Sequence, residues 1–159
     1  MMNITIIGGG FMGEAIVKGM IASNQFEDAS ISVIEIDQNK RAKLESNDIK
    51  TFSDYSHIQQ SQIILLAVKP QQIKELLNKL KNQISETALI ISIAAGTNMK
   101  SIKAILNKQP IIRVMPNLLA EIGYGTCVFV TDNSVSKDQV DATKKILNSF
   151  SKLVLEVDD

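Results

Sequence analysis

The sequence is poor in the residues that mark many special chemistries. One cysteine, Cys127, stands among 159 residues, which excludes an internal disulfide and fits a reducing compartment. One histidine, His57, lies in the polar stretch DYSHIQQS without a recognisable carboxylate partner, and it reads as a surface residue. No C-x-x-C or H-x-x-E spacing occurs, so no metal site is expected. Excess charge is missing too: Lys plus Arg and Asp plus Glu each total 17, leaving no electrostatic footprint for nucleic acid or an anionic membrane. No apolar run reaches the eighteen or so residues of a membrane-spanning helix. Met1-Met2-Asn3 carries no basic group and no small-residue cleavage pattern follows, so the expected location is cytoplasmic.

What remains is an ordinary globular balance, 45% hydrophobic and 21% charged, in a chain of single-domain length. Short apolar runs alternate with helical patterns. Strands are expected at Asn3 to Ile7, in ISVIEI from Ile31, at Gln62 to Val68, Ala88 to Ala95 and Ile111 to Met115, and in GTCVFV and KLVLEV. Helices are expected from about Phe11, from a cap at Asp37, and from Pro70, where Ile73, Leu76, Leu77, Leu80 and Ile84 recur near every 3.6 residues. Thr97 or Asn98 caps a further helix through Ile102, Ile105 and Leu106. Ser136 to Gln139 reads as a capping box whose helix turns Val140, Leu147 and Phe150 to the sheet. This is the pattern of a doubly wound α/β domain, a mostly parallel sheet with helices on both faces. Ligands of such sheets bind at the carboxyl ends of the strands.

The abundant feature is glycine at that very place. Residues 6 to 13 read IIGGGFMG, although glycine inside a regular element costs roughly 0.5–1 kcal/mol relative to alanine. Gly8, Gly10 and Gly13 fit G-x-G-x-x-G between a strand and a helix. The first glycine allows a tight turn, the second lets backbone approach a pyrophosphate, and the third lets helix and strand pack closely. The pyrophosphate would sit on the free N–H groups of the helix beginning near Phe11. Glu35, about twenty residues on at the end of the second strand, suits the adenosine ribose hydroxyls of a dinucleotide. A 2′-phosphate would meet that carboxylate with no arginine immediately beside it, although Lys40 and Arg41 lie one helical turn away. The chemistry favours NAD over NADP.

Three more strand ends look unlike plain core: AVKP (Ala67 to Pro70), SIAAG (Ser92 to Gly96) and IIRVMPN (Ile111 to Asn117). They bring Lys69, Gly96 and Asn117 to the sheet edge of the glycine loop, which suits a nicotinamide-ribose site: small residues for close approach and a few polar groups for orientation. Arg113 reads as structural, Met12 and Met115 as core filling or cofactor contacts, and Cys127 as a buried small hydrophobe.

The order of these motifs resembles the pyrroline-5-carboxylate reductase family, along residues 4 to about 157. That resemblance implies a Rossmann-type cofactor domain spanning 1–159 and NAD(P)H-dependent reduction of a cyclic imine, the last step of proline biosynthesis. It further implies that Gly8, Gly10, Phe11, Met12 and Gly13 hold the pyrophosphate. Ala67, Val68, Lys69 and Pro70 would border the ribose and nicotinamide, Ala95 and Gly96 would give the nicotinamide room, and Asn117 would sit near the reacting ring. Glu35 stands where relatives often have a neutral polar residue, and Asp54 where some have an asparagine near the adenosine ribose; both reinforce NAD over NADP. Leu118-Leu119 replace the Thr-Pro that commonly follows the family's Asn. Relatives continue into a helical domain that dimerises and holds the substrate and the catalytic hydroxyl. This chain stops where that domain begins, so it carries no catalytic residue by this reading, is catalytically poor alone, and forms a homo-oligomer only in the full-length enzyme. An exposed apolar patch near Leu153 to Val157 is then expected. Two other readings stay open: an NAD(H)-sensing regulatory module without turnover, and the cofactor domain of a hydroxy-acid dehydrogenase.

Overall fold

A computed structural model describes residues 1–117 and 124–158. Among these described residues, eight strands are joined by five α-helices in the order β1 (Met2–Ile7), α1 (Phe11–Ala22), β2 (Ala29–Ile34), α2 (Gln38–Glu45), β3 (Lys50–Phe52), β4 (Ile63–Leu66), α3 (Pro70–Leu80), β5 (Leu89–Ser92), α4 (Met99–Lys103), β6 (Ile111–Pro116), β7 (Gly125–Thr131), α5 (Lys137–Asn148) and β8 (Ser151–Glu156). They form one sheet of order β3-β2-β1-β4-β5-β6-β7-β8. All neighbours are parallel except β6 and β7. Only eight residues, 117–124, join that pair, too few for the crossover that parallel strands need. The strand order reverses direction between β1 and β4, and the glycine loop opens from the end of β1 into the crevice this creates.

Two apolar layers sandwich the sheet. One joins Ile16, Val17 and Met20 of α1, Leu44 of α2 and Ile146 and Leu147 of α5 to Ile4, Ile6, Leu65, Ile91 and Phe129. The other packs Ile73, Leu76, Leu77 and Leu80 of α3 and Ile102 of α4 on Ile7, Leu66, Ile90 and Ile111. Successive strand residues serve opposite layers, which is why β4 and β5 read as unbroken apolar runs.

The caps are the ones the sequence offers. Asp37 accepts from the Lys40 N–H at 3.0 Å, Asn98 from Ser101 at 2.8 Å, and Ser136 pairs reciprocally with Gln139. Three strands, β2, β4 and β5, end before their apolar runs do. β2 stops at Ile34, leaving Ile36 exposed, and β5 stops at Ser92 instead of Ala95. At each of these ends the chain leaves the ladder to form the loop that faces the crevice. α4 also stops early, at Lys103, with Ile105 and Leu106 in the turn behind it. Nothing in the apolar pattern announced β3, a three-residue edge strand paired to β2.

Helices cover both faces of the sheet except at one corner. Register places Arg113, Val130 and Val157, then Met115, Val128 and Leu155, in successive rows on the face opposite α5. Leu153, Leu155 and Val157 are 49%, 44% and 41% exposed, the patch expected at that end of the chain. Among the described residues no helix is long and apolar enough to cross a membrane.

Candidate functional site

The glycine loop is shaped by contacts that admit no side chain. Gly8 has φ +105°, and a Cβ there would lie 2.5 Å from the carbonyl oxygen of Ala67. At Gly13 a Cβ would fall 1.9 Å from the carbonyl oxygen of Gly8. The first and third motif glycines thus lock the end of β1, the start of α1 and the residue after β4 into one unit. Gly10 is different. It is the N-cap of α1, supplies no side-chain cap, and has no atom within 4 Å of where a Cβ would stand. The first N–H groups of α1 have no carbonyl partner within the helix, and they open there onto free space. That is the cradle a pyrophosphate requires, with the positive end of the helix dipole behind it.

Glu35 follows β2 and is almost wholly buried, 8% exposed. The sequence assigns its carboxylate to ribose hydroxyls; in the structure both oxygens serve backbone. One accepts from the Gly9 N–H at 2.8 Å and the other from the Asp37 N–H at 2.9 Å. Arg41 reaches back from α2, as its spacing allowed, and its guanidinium donates to the carbonyl oxygens of Glu35 and Ile36, both at 2.8 Å.

The remaining candidates divide into groups. Ala67 and Val68 stand against Gly8, and Met12 is partly buried on the layer beneath α1. Lys69 is exposed at the N-cap of α3, where its backbone N–H donates to the Gln72 side chain at 3.2 Å. Pro70 and Gly96 line one groove of about 400 Å³ between α3 and α4, with Ile73, Lys74 and Thr97. Gly96 has φ +71° and no neighbour within 4 Å of a Cβ position, and Ala95 is exposed beside it. Asn117 is exposed and tied to β7 by two bonds of 3.2 Å: its N–H donates to the Thr126 carbonyl, and its side-chain oxygen accepts from the Thr126 N–H. Leu118 and Leu119 lie outside the described residues. A second groove, of about 640 Å³, contains Gly9, Gly10, Phe11, Lys40 and Lys43 but runs down α1 to Ser149 and Phe150 and includes neither Lys69 nor Asn117.

Asp54 lies past β3, exposed, and its carboxylate accepts from the Ser56 N–H at 2.8 Å. Hydrogen bonds from Ser56 hold its pKa below the ordinary value. Its neighbour Tyr55 went unnoticed in the sequence. It packs beneath the layer of α3 with the Lys79 ammonium 4.9 Å from its ring centre. Burial, then the charges of Glu35 and Glu75, push its phenol pKa up. A lone tyrosine in a polar loop carries no periodicity, so only the folded chain reveals it. His57 is exposed against the ring of Phe52, and Cys127 is fully buried beside the Ser151 hydroxyl. Burial raises the Cys127 thiol pKa, against the smaller opposing effect of the Ser151 hydrogen bond. Among the described residues no group of three or more His, Cys, Asp or Glu side chains is placed to hold a metal ion.

Residues 3–96 match the family described as NADP oxidoreductase, coenzyme F420-dependent. The chain belongs to this family. Over 95% of its length it is also 28% identical to a pyrroline-5-carboxylate reductase of Pisum sativum. A solved pyrroline-5-carboxylate reductase from Coxiella burnetii superposes with a TM-score of 0.92 at 34% identity, covering 99% of this chain and 59% of that one. The Plasmodium falciparum pyrroline carboxylate reductase, solved with NADP bound, shares the fold at a TM-score of 0.84 and 22% identity, covering 98% of this chain and 57% of that one. The chain spans about half the length of the curated relatives it matches. Within this family the glycine loop and the strand ends beside it form the candidate site.

Proposed function

We propose that residues 1–159 form the nicotinamide-dinucleotide domain of an enzyme that reduces 1-pyrroline-5-carboxylate to L-proline. The turn locked by Gly8 and Gly13, together with the uncapped start of α1 at Gly10, carries this reading, because no neighbour stands within 4 Å of where a Gly10 Cβ would be and the space in front of the helix is left for a pyrophosphate. Gly8, Gly10, Phe11, Met12 and Gly13 bind the pyrophosphate, with Glu35 and Asp54 at the adenosine end. Ala67, Val68, Lys69, Pro70, Ala95, Gly96 and Asn117 border the nicotinamide end. The reduced nicotinamide supplies the hydride. The residues of this chain bind it, orient it and shield one side of the reacting ring from water, so positioning is their main contribution to rate. Substrate contacts, catalysis and oligomer formation fall to a helical domain such as the longer relatives have room for. The exposed apolar side chains of Met115, Leu153, Leu155 and Val157 suit its packing.

NAD(H) is favoured over NADP(H). A 2′-phosphate of charge near −2 would approach the carboxylates of Glu35 and Asp54, a repulsion that Arg41 only partly offsets while its guanidinium is held on two carbonyls. Calorimetric titration with NADH and with NADPH at matched salt tests this. Tighter binding of NADH is expected. Binding of NADPH alone would overturn the preference, and binding of neither would overturn the cofactor assignment for this chain.

A further inference from the structure

We propose that Glu35 is a positioning residue of the glycine loop and not a ligand of the ribose. The inference rests on the dinucleotide reading and departs from the role its sequence position suggests. Its carboxylate is buried and already holds two backbone donors, Gly9 at 2.8 Å and Asp37 at 2.9 Å. Gly9 itself is buried, and a Cβ on it would lie 3.3 Å from both Cβ and Cγ of Glu35 and 2.8 Å from a Leu44 methyl. The loop is therefore seated directly on the stem of this side chain. The backbone N–H of Glu35 donates to the Phe52 carbonyl at 3.0 Å, and Arg41 clamps its carbonyl, so each polar atom of the residue already has a partner within the protein.

The physical consequence is specific. A carboxylate accepting an N–H bond is about twice as strong as a neutral acceptor. By fixing the peptide of Gly9, it fixes the direction of the N–H groups that follow at Gly10 and Phe11. Removing the carboxylate weakens the grip on phosphate and leaves recognition of the 2′-hydroxyl untouched.

The test pairs a ligand change with a protein change: ADP and 2′-deoxy-ADP are titrated into the wild-type chain, Glu35→Gln and Glu35→Ala. Positioning predicts that Glu35→Ala weakens both nucleotides by one common factor of about tenfold or more. Glu35→Gln falls between, since its single oxygen still accepts from Gly9. The ratio of ADP to 2′-deoxy-ADP affinity stays constant across the three proteins. A wild-type preference for ADP that disappears in Glu35→Gln would overturn the proposal. Hydrogen exchange at the Gly9 amide provides a readout free of ligand. Slow exchange in the wild type and in Glu35→Gln, with fast exchange in Glu35→Ala, supports positioning; fast exchange in the wild type refutes it even if the variants fail to fold. Should neither nucleotide bind the wild type, the dinucleotide reading fails, while the Gly9 exchange still decides what Glu35 holds.

Discussion

The two ends of the candidate cleft are built on different principles. At the glycine loop, backbone touches backbone, Gly13 against Gly8 and Gly8 against Ala67, and side chains brace the rest: Gly9 rests on Glu35, and the turn after β2 is clamped by Arg41 and capped by Asp37. At the other end, Gly96 has open space where a side chain would be, and Lys69 is exposed with no side-chain bond to another described residue. Among the described residues Asn117 is anchored to Thr126 alone. A phosphate is held by N–H groups that this domain preorganises by itself. A ring that must meet a substrate needs an edge left open to whatever packs beside it.

If that contrast is right, substitutions at the first end cost folding stability, whereas those at the second cost binding. Gly13→Ala is expected to have the largest effect, because its Cβ would overlap the Gly8 carbonyl. Urea unfolding should show a loss of about 3 kcal/mol. A fully stable Gly13→Ala would break the picture of a locked loop. Asp37→Ala removes the cap of α2 and should cost about 1 kcal/mol in the same assay. Lys69→Ala should change stability by less than about 0.5 kcal/mol, since nothing described leans on its ammonium, yet weaken NADH binding in calorimetry. A clear loss of stability there would erase the distinction between the ends.

The smallest expected effect depends on pH. Hydrogen bonds from Lys18 and Lys43, reinforced by their charges, hold the Glu14 carboxyl below its ordinary 4.5. A folded-state pKa lowered in this way adds stability that is fully present above 4.5 and is lost as pH falls through the lowered value. Glu14→Gln should therefore melt about a degree or two below wild type at neutral pH, and the gap should close as pH falls below 4.5 through the lowered value. An unchanged gap at acid pH would mean that Glu14 acts through packing instead.

Most of the architecture was legible because each signal was local. The unbroken apolar runs of β4 and β5, the 3.6-residue period of α3, and the caps at Asp37, Asn98 and Ser136 each depend on neighbours within one turn or one strand. The strand ends were overrun at Ile36 and Ala95 because apolar character continues after the ladder stops; hydrogen-bond partners end a strand, and those lie elsewhere in the chain. β3 was missed for a related reason, since three residues hold no period and only pairing with β2 makes them a strand.

The candidate site divides along the same line. By itself the sequence determined that a strand hands over to a helix through glycines, that an acid closes the next strand, and that lysine, glycine and asparagine end the later ones. Those are statements about residue type and spacing, and spacing along a strand survives folding. Only the tertiary structure decided where the acid's two oxygens go, that Arg41 grips the carbonyls beside it, that Tyr55 is half-buried near its charge, and that Leu153, Leu155 and Val157 at the sheet's edge lie exposed on one face. Each of these is settled by distances between segments far apart in the chain, and those distances exist only once the sheet has ordered its strands.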